Sequence, residues 1–424
     1  MASDLPVSKQ QLRYIGLIAL IGLLWKSFTL RSPWFLLPDM PPLPTPNTCK
    51  VFHKDILKFC EDFTTIPDSN LLLISCDPQR HKWNTFTNTH PPNLPPGEIY
   101  IFDPTSPLTP PKLVSSIPEL TDDFRPLGLS ATYSSSSEGN IRVFITNQAR
   151  AAPKVEVVEI HLPSLSTKHI ATITHGLIYS PNGIAAVSSA GFYLTNDAYF
   201  SRRRWSQAGV VAEVVTGIPG GSLVYVSFSD DGGVKATRIV RLPLANGVAV
   251  DPVHRRVWVA GSLTGVYQYV YTPDDPTVVE TGAFLRTAML PDNILFSKAT
   301  GGVYVSGATS AGKLLRSIRD VEAPVPPSLT AQLLPMVHRE AEKAHIAWRG
   351  NDVANVALRR QEWRWGTVFV DDGGVFGGVS TGGVVDGGVF VGVSLVGRGV
   401  VVCDEVPVKG GTVPEVKEMV KDEL

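Results

Sequence analysis

Leu290-Pro291-Asp292-Asn293-Ile294 is echoed three times upstream. The echoes are Ser180-Pro181-Asn182-Gly183-Ile184, Leu244-Ala245-Asn246-Gly247-Val248 and, more loosely, Arg125-Pro126-Leu127-Gly128-Leu129. Each runs into a β-prone segment, as in Ile184–Val187, Val248–Val250 and Ile294–Phe296. A fifth place, Cys60-Glu61-Asp62-Phe63, opens a strand on two adjacent carboxylates. The places lie roughly 45 to 65 residues apart, a period of propeller blades rather than of one sheet. In a propeller the start of each innermost strand faces the central channel. Asn and Asp repeated there converge on one axis, and a ring of oxygens is what a hard cation such as Ca²⁺ takes. Singly, each Asn-Gly reads first as a hairpin turn, because both residues tolerate positive φ. Their common order and context favour the ring.

Working outward, the chain is a succession of short strands and turns. Residues 62–76 read as a hairpin about Pro67-Asp68-Ser69-Asn70. Strands are expected at Glu98–Phe102, Leu129–Tyr133, Ile141–Thr146, Val155–His161, Gly191–Thr195, Ser222–Ser227, Val257–Ala260, Val266–Tyr271 and Gly302–Val305. Residues 327–348 break the pattern: Leu329, Leu333, Leu334, Val337, Ala341 and Ala344 lie near helical spacing, which predicts a helical insertion over one face. It is either a lid on the channel or plain edge packing. Asp371-Asp372-Gly373-Gly374 and Asp386-Gly387-Gly388 read as two hairpin turns of a last blade ending at Val400-Val401-Val402-Cys403. The expected fold is all-β, a six-bladed propeller over residues 49–408.

Composition fits that class. The chain has 424 residues, with 37 Gly, 34 Pro and 18% charged residues, enough for a large single core. A net charge of −1 excludes a nucleic-acid partner, which needs a basic face. Four cysteines allow three pairings, so their number decides nothing. Cys60 and Cys76 flank the first hairpin, close enough to pair or to stay buried thiols; free thiols are the expectation.

Residues 1–37 carry an apolar run, Tyr14–Trp25, flanked by Lys9, Arg13, Lys26 and Arg31. It is short for a spanning helix and fits a signal core. No small-residue cleavage pattern follows, so an uncleaved signal-anchor holding the protein to a membrane is expected. Residues 38–48 form a Pro-rich linker, and residues 409–424 a tail ending Lys421-Asp422-Glu423-Leu424, the address read by the luminal retrieval receptor. Together they place the body in the endoplasmic reticulum lumen. No Asn-x-Ser/Thr sequon occurs as an independent check.

The order of these pieces resembles the paraoxonase/arylesterase family. The resemblance rests on Glu61-Asp62, the Pro126-x-Gly128 stretch, Asn182, the Phe192-Tyr193-Leu194-Thr195-Asn196-Asp197-Ala198-Tyr199-Phe200 run, Asn246-Gly247, and Asp292-Asn293-Ile294. Cys49 before the Glu-Asp pair and Cys403 at the last strand continue it. It covers roughly residues 49 to 405, with an added segment near 315–360. It implies a Cys49–Cys403 disulfide closing the ring, which an oxidising lumen permits. It also implies a catalytic Ca²⁺ held by Glu61, Asn182, Asn246, Asp292 and Asn293, all oxygen donors. That ion would polarise a lactone or ester carbonyl, or a phosphoryl oxygen, and activate water.

A second, structural Ca²⁺ would use Asp62 and the carbonyl of Leu129. The family's third ligand, an Asp, falls on Gly183 here. The family's imidazole pair is also missing: Leu127 and Gln148 stand in those places, and neither takes a proton near neutral pH. His81 lies on a loop that approaches the channel mouth in this family and is a candidate substitute; His175 reads as a strand-end residue. With Glu61 and Asp292 as the catalytic carboxylates, a calcium-dependent hydrolase of small-molecule lactones and aryl esters is the first expectation. The alternative is a calcium-holding propeller that no longer hydrolyses, acting as a binding protein or an isomerase-type tailoring enzyme.

Overall fold

The computed structural model describes residues 48–83, 91–114, 123–134, 139–200, 213–214, 217–229, 232–335, 363–385 and 388–404. The signal-anchor, the linker to residue 47 and the retrieval tail lie outside the described residues. Among the described residues, no helix is long and apolar enough to cross a membrane.

Alternation with period two decides the local structure. In Asn140–Asn147 and Lys154–His161, β-branched and aromatic residues pack both faces, as strands between two neighbours require. The chain begins with β1 (Cys49–Phe52), then β2 (Cys60–Thr65), β3 (Leu72–Cys76), β4 (Glu98–Phe102) and β5 (Lys112–Leu113). Next come β6 (Pro126–Tyr133), β7 (Asn140–Asn147), β8 (Lys154–His161) and β9 (Ser166–Ile173). The third group is β10 (Pro181–Ser188), β11 (Gly191–Asn196), β12 (Gly221–Phe228) and β13 (Val234–Leu242). The fourth is β14 (Ala245–Asp251), β15 (Arg256–Gly261), β16 (Gly265–Tyr271) and β17 (Val279–Leu285). The fifth is β18 (Leu290–Ser297), β19 (Gly302–Ala308), β20 (Ser328–Pro335) and β21 (Trp363–Asp371). The chain closes with β22 (Val379–Val384), β23 (Phe390–Ser394) and β24 (Val400–Cys403).

These strands make six antiparallel four-stranded sheets, a six-bladed β-propeller. Strands β2, β6, β10, β14, β18 and β22 are innermost and adjoin one another around the axis. The Leu290–Ile294 stretch, its three echoes and the Glu61-Asp62 pair therefore open an inner strand. The sixth blade draws on both chain ends, because β1 adds to β24 with Cys49 opposite Cys403. These two cysteines form a disulfide, as the resemblance implied. Aromatic pairs fill the spaces between blades: Phe144 with Phe192 at 5.0 Å, Trp258 with Trp363 at 4.9 Å, and Phe369 stacked on Phe390 at 4.9 Å. Each such pair adds about 1 kcal/mol beyond the area it buries.

Glycine lets the inner strands close in. A Cβ on Gly183 would sit 2.8 Å from the Asn246 carbonyl oxygen, and one on Gly247 would sit 2.5 Å from Asn293 Cα. Neither glycine has positive φ. The Asn-Gly pairs are thus not hairpin turns; Gly gives the next blade's backbone room at the axis.

Three expectations are corrected. Ser328–Pro335 is a strand, not the start of a helical insertion. Leu329, Ala331 and Leu333 alternate into the core between blades, and that period of two overrides the apparent helical spacing. The remainder of that segment, from 336, lies outside the described residues. The helix of this region comes earlier, at α1 (Ala311–Arg319), where Ser310 caps it by accepting from Lys313 N–H. Asp371-Asp372-Gly373-Gly374 is not a hairpin turn, since β21 pairs with β20 and the stretch carries the chain to the next blade. Cys60 and Cys76 are not free thiols but a second disulfide, because β2 and β3 set them directly opposite.

Candidate metal centre at the mouth of the channel

Glu61, Asn182 and Asn246 are each the second residue of an inner strand, and Asp292 and Asn293 are the third and fourth of theirs. The inner strands run the same way, so the five side chains gather at one end of the axis. Six hydrogen bonds around them fix that end of the axis. Ser262 Oγ accepts from Asn246 Nδ2 at 3.1 Å and donates to the Pro291 carbonyl at 2.9 Å. Asn246 Nδ2 also donates to Asp292 Oδ1 at 2.7 Å, and Asn293 Nδ2 to the Glu61 carbonyl at 3.2 Å. Ser380 and Thr381, on the sixth inner strand, donate to the same carbonyl at 2.7 and 3.1 Å.

These bonds use the amide hydrogens and leave oxygens over. Glu61 Oε2, Asn182 Oδ1 and Asn246 Oδ1 are buried and have no hydrogen-bond partner. Burying an acceptor without a donor costs about 1–3 kcal/mol, more if it is charged. Electrostatics points the same way. Burial pushes the Glu61 carboxyl up, opposed by the Arg80 guanidinium. Burial pushes the Asp292 carboxyl well up, the Glu61 charge adds to it, and the Asn246 hydrogen bond opposes. Three orphaned oxygens beside two carboxylates that resist ionisation match what a hard divalent cation satisfies, so the donor set fits Ca²⁺. Among the described residues, no three His, Cys, Asp or Glu side chains cluster as a metal site. The candidate set draws instead on backbone-anchored amides beside its carboxylates.

The second expected ion does not fit its residues. Asp62 Oδ1 accepts from Phe63 N–H and Thr381 Oγ1, both at 2.8 Å, and Oδ2 from Leu129 N–H at 3.2 Å. Leu129 thus presents its N–H to the carboxylate. Burial still outweighs these bonds and raises the Asp62 carboxyl to about 7. Gly183, in the place of a third ligand, has the Asn246 carbonyl where a side chain would go.

The two substituted positions are structural. Leu127 is buried and its carbonyl accepts from Ser75 Oγ at 2.5 Å. Gln148 is buried and donates through Nε2 to the Pro181 carbonyl at 2.5 Å, one residue before Asn182. His81 is exposed on a 3₁₀ turn, Arg80–Lys82, with its ring 5.4 Å from that of Phe59. Burial, then Lys82, lowers its pKa. His175 sits in the turn after β9 and accepts from Leu177 N–H at 3.1 Å.

Sequence reasoning passed over four participants. Arg80, beside His81, places Nη2 3.7 Å from Glu61 Oε2. Asp197, within the Thr-Asn-Asp run, is buried, hydrogen-bonded to Ser180 Oγ, and raised to about 6 by burial. Ser380 and Thr381 lie on an inner strand, Val379–Val384, that carries no Asn or Asp. Only its place as the sixth blade's first strand could have marked it.

A family model described as Arylesterase matches residues 95–347. Serum paraoxonase/arylesterase 1 of Mus musculus is 29% identical over 185 residues, which are 43% of this chain and 48% of that protein. Serum paraoxonase/arylesterase 2 of Homo sapiens is 27% identical over 236 residues, 46% of this chain and 64% of that protein. The chain spans about half the length of the curated relatives it matches. Among solved structures, an α-L-arabinanase of Penicillium chrysogenum is 10% identical at TM-score 0.46, covering 88% of this chain and all of that one. With the family model matched over more than half of its length, this chain belongs to the arylesterase family.

Proposed function

We propose that the protein is a calcium-dependent hydrolase of lactones and aryl esters. The observation that carries this reading is the set of buried oxygens without hydrogen bonds on Glu61, Asn182 and Asn246, with the Glu61 and Asp292 carboxyls both raised. Bound Ca²⁺ supplies an electrophile for the carbonyl oxygen and for the charge that develops on it. The chain supplies the rest. Glu61 and Asp292 provide the two negative charges, Ser262 locks Asn246 with its oxygen directed away from the hydrogen-bonded amide, and Asn293 ties the fifth inner strand to the first. Leu127 and Gln148 offer no proton acceptor. Asp292, whose carboxyl burial holds well above the usual carboxylate range, is the carboxylate we assign to take a proton from attacking water. A panel of γ- and δ-lactones and phenyl esters, assayed with calcium and after chelation, tests this. Turnover that chelation abolishes and calcium restores supports it. Turnover indifferent to chelation refutes the metal role.

A second reading is favoured by one observation. Gln148, in place of an imidazole, is fully engaged with the Pro181 carbonyl and holds the inner strand rather than facing the reaction. In that reading the propeller binds calcium and an ester-like ligand without hydrolysing it. Ligand binding without turnover across the same panel would select it.

A further inference from the structure

Arg80 is held at the channel mouth by a local scaffold. The Cys60–Cys76 disulfide fixes the strand end from which its turn springs. Asp77 then accepts from Trp83 Nε1 at 2.6 Å, from Gln79 N–H at 2.8 Å and from Arg125 Nη1 at 3.3 Å. The Arg80 N–H bonds to the Asp77 carbonyl at 2.8 Å. Trp83 is fully buried, and the Arg80 guanidinium lies 4.2 Å from its ring centroid, a cation–π contact.

The guanidinium so placed is under-used. Arg80 Nε and Nη1 are buried and have no hydrogen-bond partner. Nε carries one N–H and Nη1 two, so most of the five donors of the group are unmet. The nearest carboxylate oxygen, Glu61 Oε2, is 3.7 Å from Nη2, too far for a hydrogen bond. Asp77 is engaged by Arg125 and Trp83, and Asp197 by Ser180. If Glu61 and Asp292 take a divalent cation, their charge is shared with it and, among the described residues, Arg80 keeps only the charges of Asp77 and Asp197, neither within hydrogen-bond reach. Buried guanidinium donors without hydrogen bonds are costly, and an oxyanion is the ligand that meets them.

We propose that Arg80 is a specificity-determining residue that binds the carboxylate of an acidic ester or lactone, held with its acyl carbonyl toward the Glu61–Asp292 end of the channel. This rests on the hydrolase reading for the word substrate, but the anion site itself does not. Trp83 packs its ring under the cation, and the unmet Nε and Nη1 donors are the ones the oxyanion would take. Lys82, two residues on in the turn, is exposed and cannot reproduce a fork of fixed geometry.

The test uses the full chain in calcium, as wild type, Arg80→Gln and Arg80→Lys. Two probes are matched in reactivity, phenyl acetate and 4-acetoxybenzoate, and benzoate binding is followed in parallel by calorimetry. A hydrogen bond to a charged group is worth about 10- to 100-fold. The ratio of kcat/KM for the carboxylate ester over the neutral one should fall by that factor in Arg80→Gln and by less in Arg80→Lys. Benzoate affinity should fall in step. A ratio unchanged in both variants, with benzoate bound equally, overturns the proposal. If the wild type hydrolyses neither ester, the hydrolase reading fails while calorimetry still decides the anion site: tenfold or weaker binding in Arg80→Gln upholds it, and equal binding removes it. Arg80→Lys keeps the charge, so it covers the case in which Arg80→Gln does not fold.

Discussion

Replacing Asp292 with Asn should move the protein in opposite directions with and without calcium. The substitution keeps the shape and leaves an oxygen to accept from Asn246 Nδ2, but it removes one of the two charges that offset a divalent ion. At a thousand times its dissociation constant, a ligand stabilises the folded state by about 4 kcal/mol. Unfolding entropy near 2.1 cal/mol/K per residue, over a body of about 350 residues, is about 0.7 kcal/mol/K. Calcium should therefore raise the wild-type melting temperature by about 5 to 6 °C, and the Asp292→Asn protein by less than about 1 °C. Without calcium the sign reverses. The folded state holds the Asp292 proton more tightly than the unfolded chain does, because burial and Glu61 both oppose its ionisation. Ionised Asp292 then costs stability as pH rises above the ordinary carboxylate value. At pH 8 after chelation, Asp292→Asn should melt above wild type. Scanning calorimetry on both proteins, chelated and calcium-loaded, reads all four values. Equal calcium shifts in the two proteins would falsify the ring. A lower apo melting temperature in the variant would show that Asp292 carries no desolvation penalty.

Three further outcomes are expected. The disulfides span 354 and 16 residues, so the chain-entropy relation assigns about 6 kcal/mol to Cys49–Cys403 and about 3 to Cys60–Cys76; urea titration of the two paired Cys→Ser variants should show the ring-closing bridge costing about twice as much, and a reversed order would refute that account. Asp197 is raised from 3.8 to about 6, so its favourable contribution is complete below 3.8 and is lost as pH climbs toward 6. Relative to wild type, Asp197→Asn should gain on the order of 3 kcal/mol between pH 4 and pH 7, and parallel stability curves would contradict it. Leu127→His with Gln148→His restores two imidazoles beside the ring and should raise ester turnover by about 10²-fold; no gain beside robust native turnover would mean that another base, with Asp292 the first candidate, already serves.

Much of the architecture was legible because it repeats. Five openings of an inner strand, Cys60-Glu61, Pro126-Leu127, Pro181-Asn182, Ala245-Asn246 and Pro291-Asp292, recur at blade spacing, and each begins at the register irregularity of its inner strand. The sixth, Val379-Ser380-Thr381, stayed hidden because its Ser and Thr serve as donors to Glu61 rather than as oxygens for an ion. The strand at Ser328–Pro335 resembles a helix in sequence because apolar residues three and four apart, such as Leu329 and Leu333 or Leu334 and Val337, satisfy a helix as readily as a strand when only a few are counted.

By itself, then, the sequence determined the propeller, its blade period and the oxygen character of the residues that open its inner strands. These are properties of residue type and spacing along the chain. Tertiary structure alone decided the rest. It paired Cys60 with Cys76, turned Leu129 N–H onto Asp62, and set the Arg80 guanidinium over Trp83 and beside Glu61. Those facts depend on which groups meet after six sheets have closed on one axis. Burial and hydrogen-bond satisfaction are set there by neighbours from distant blades, and no local pattern encodes them.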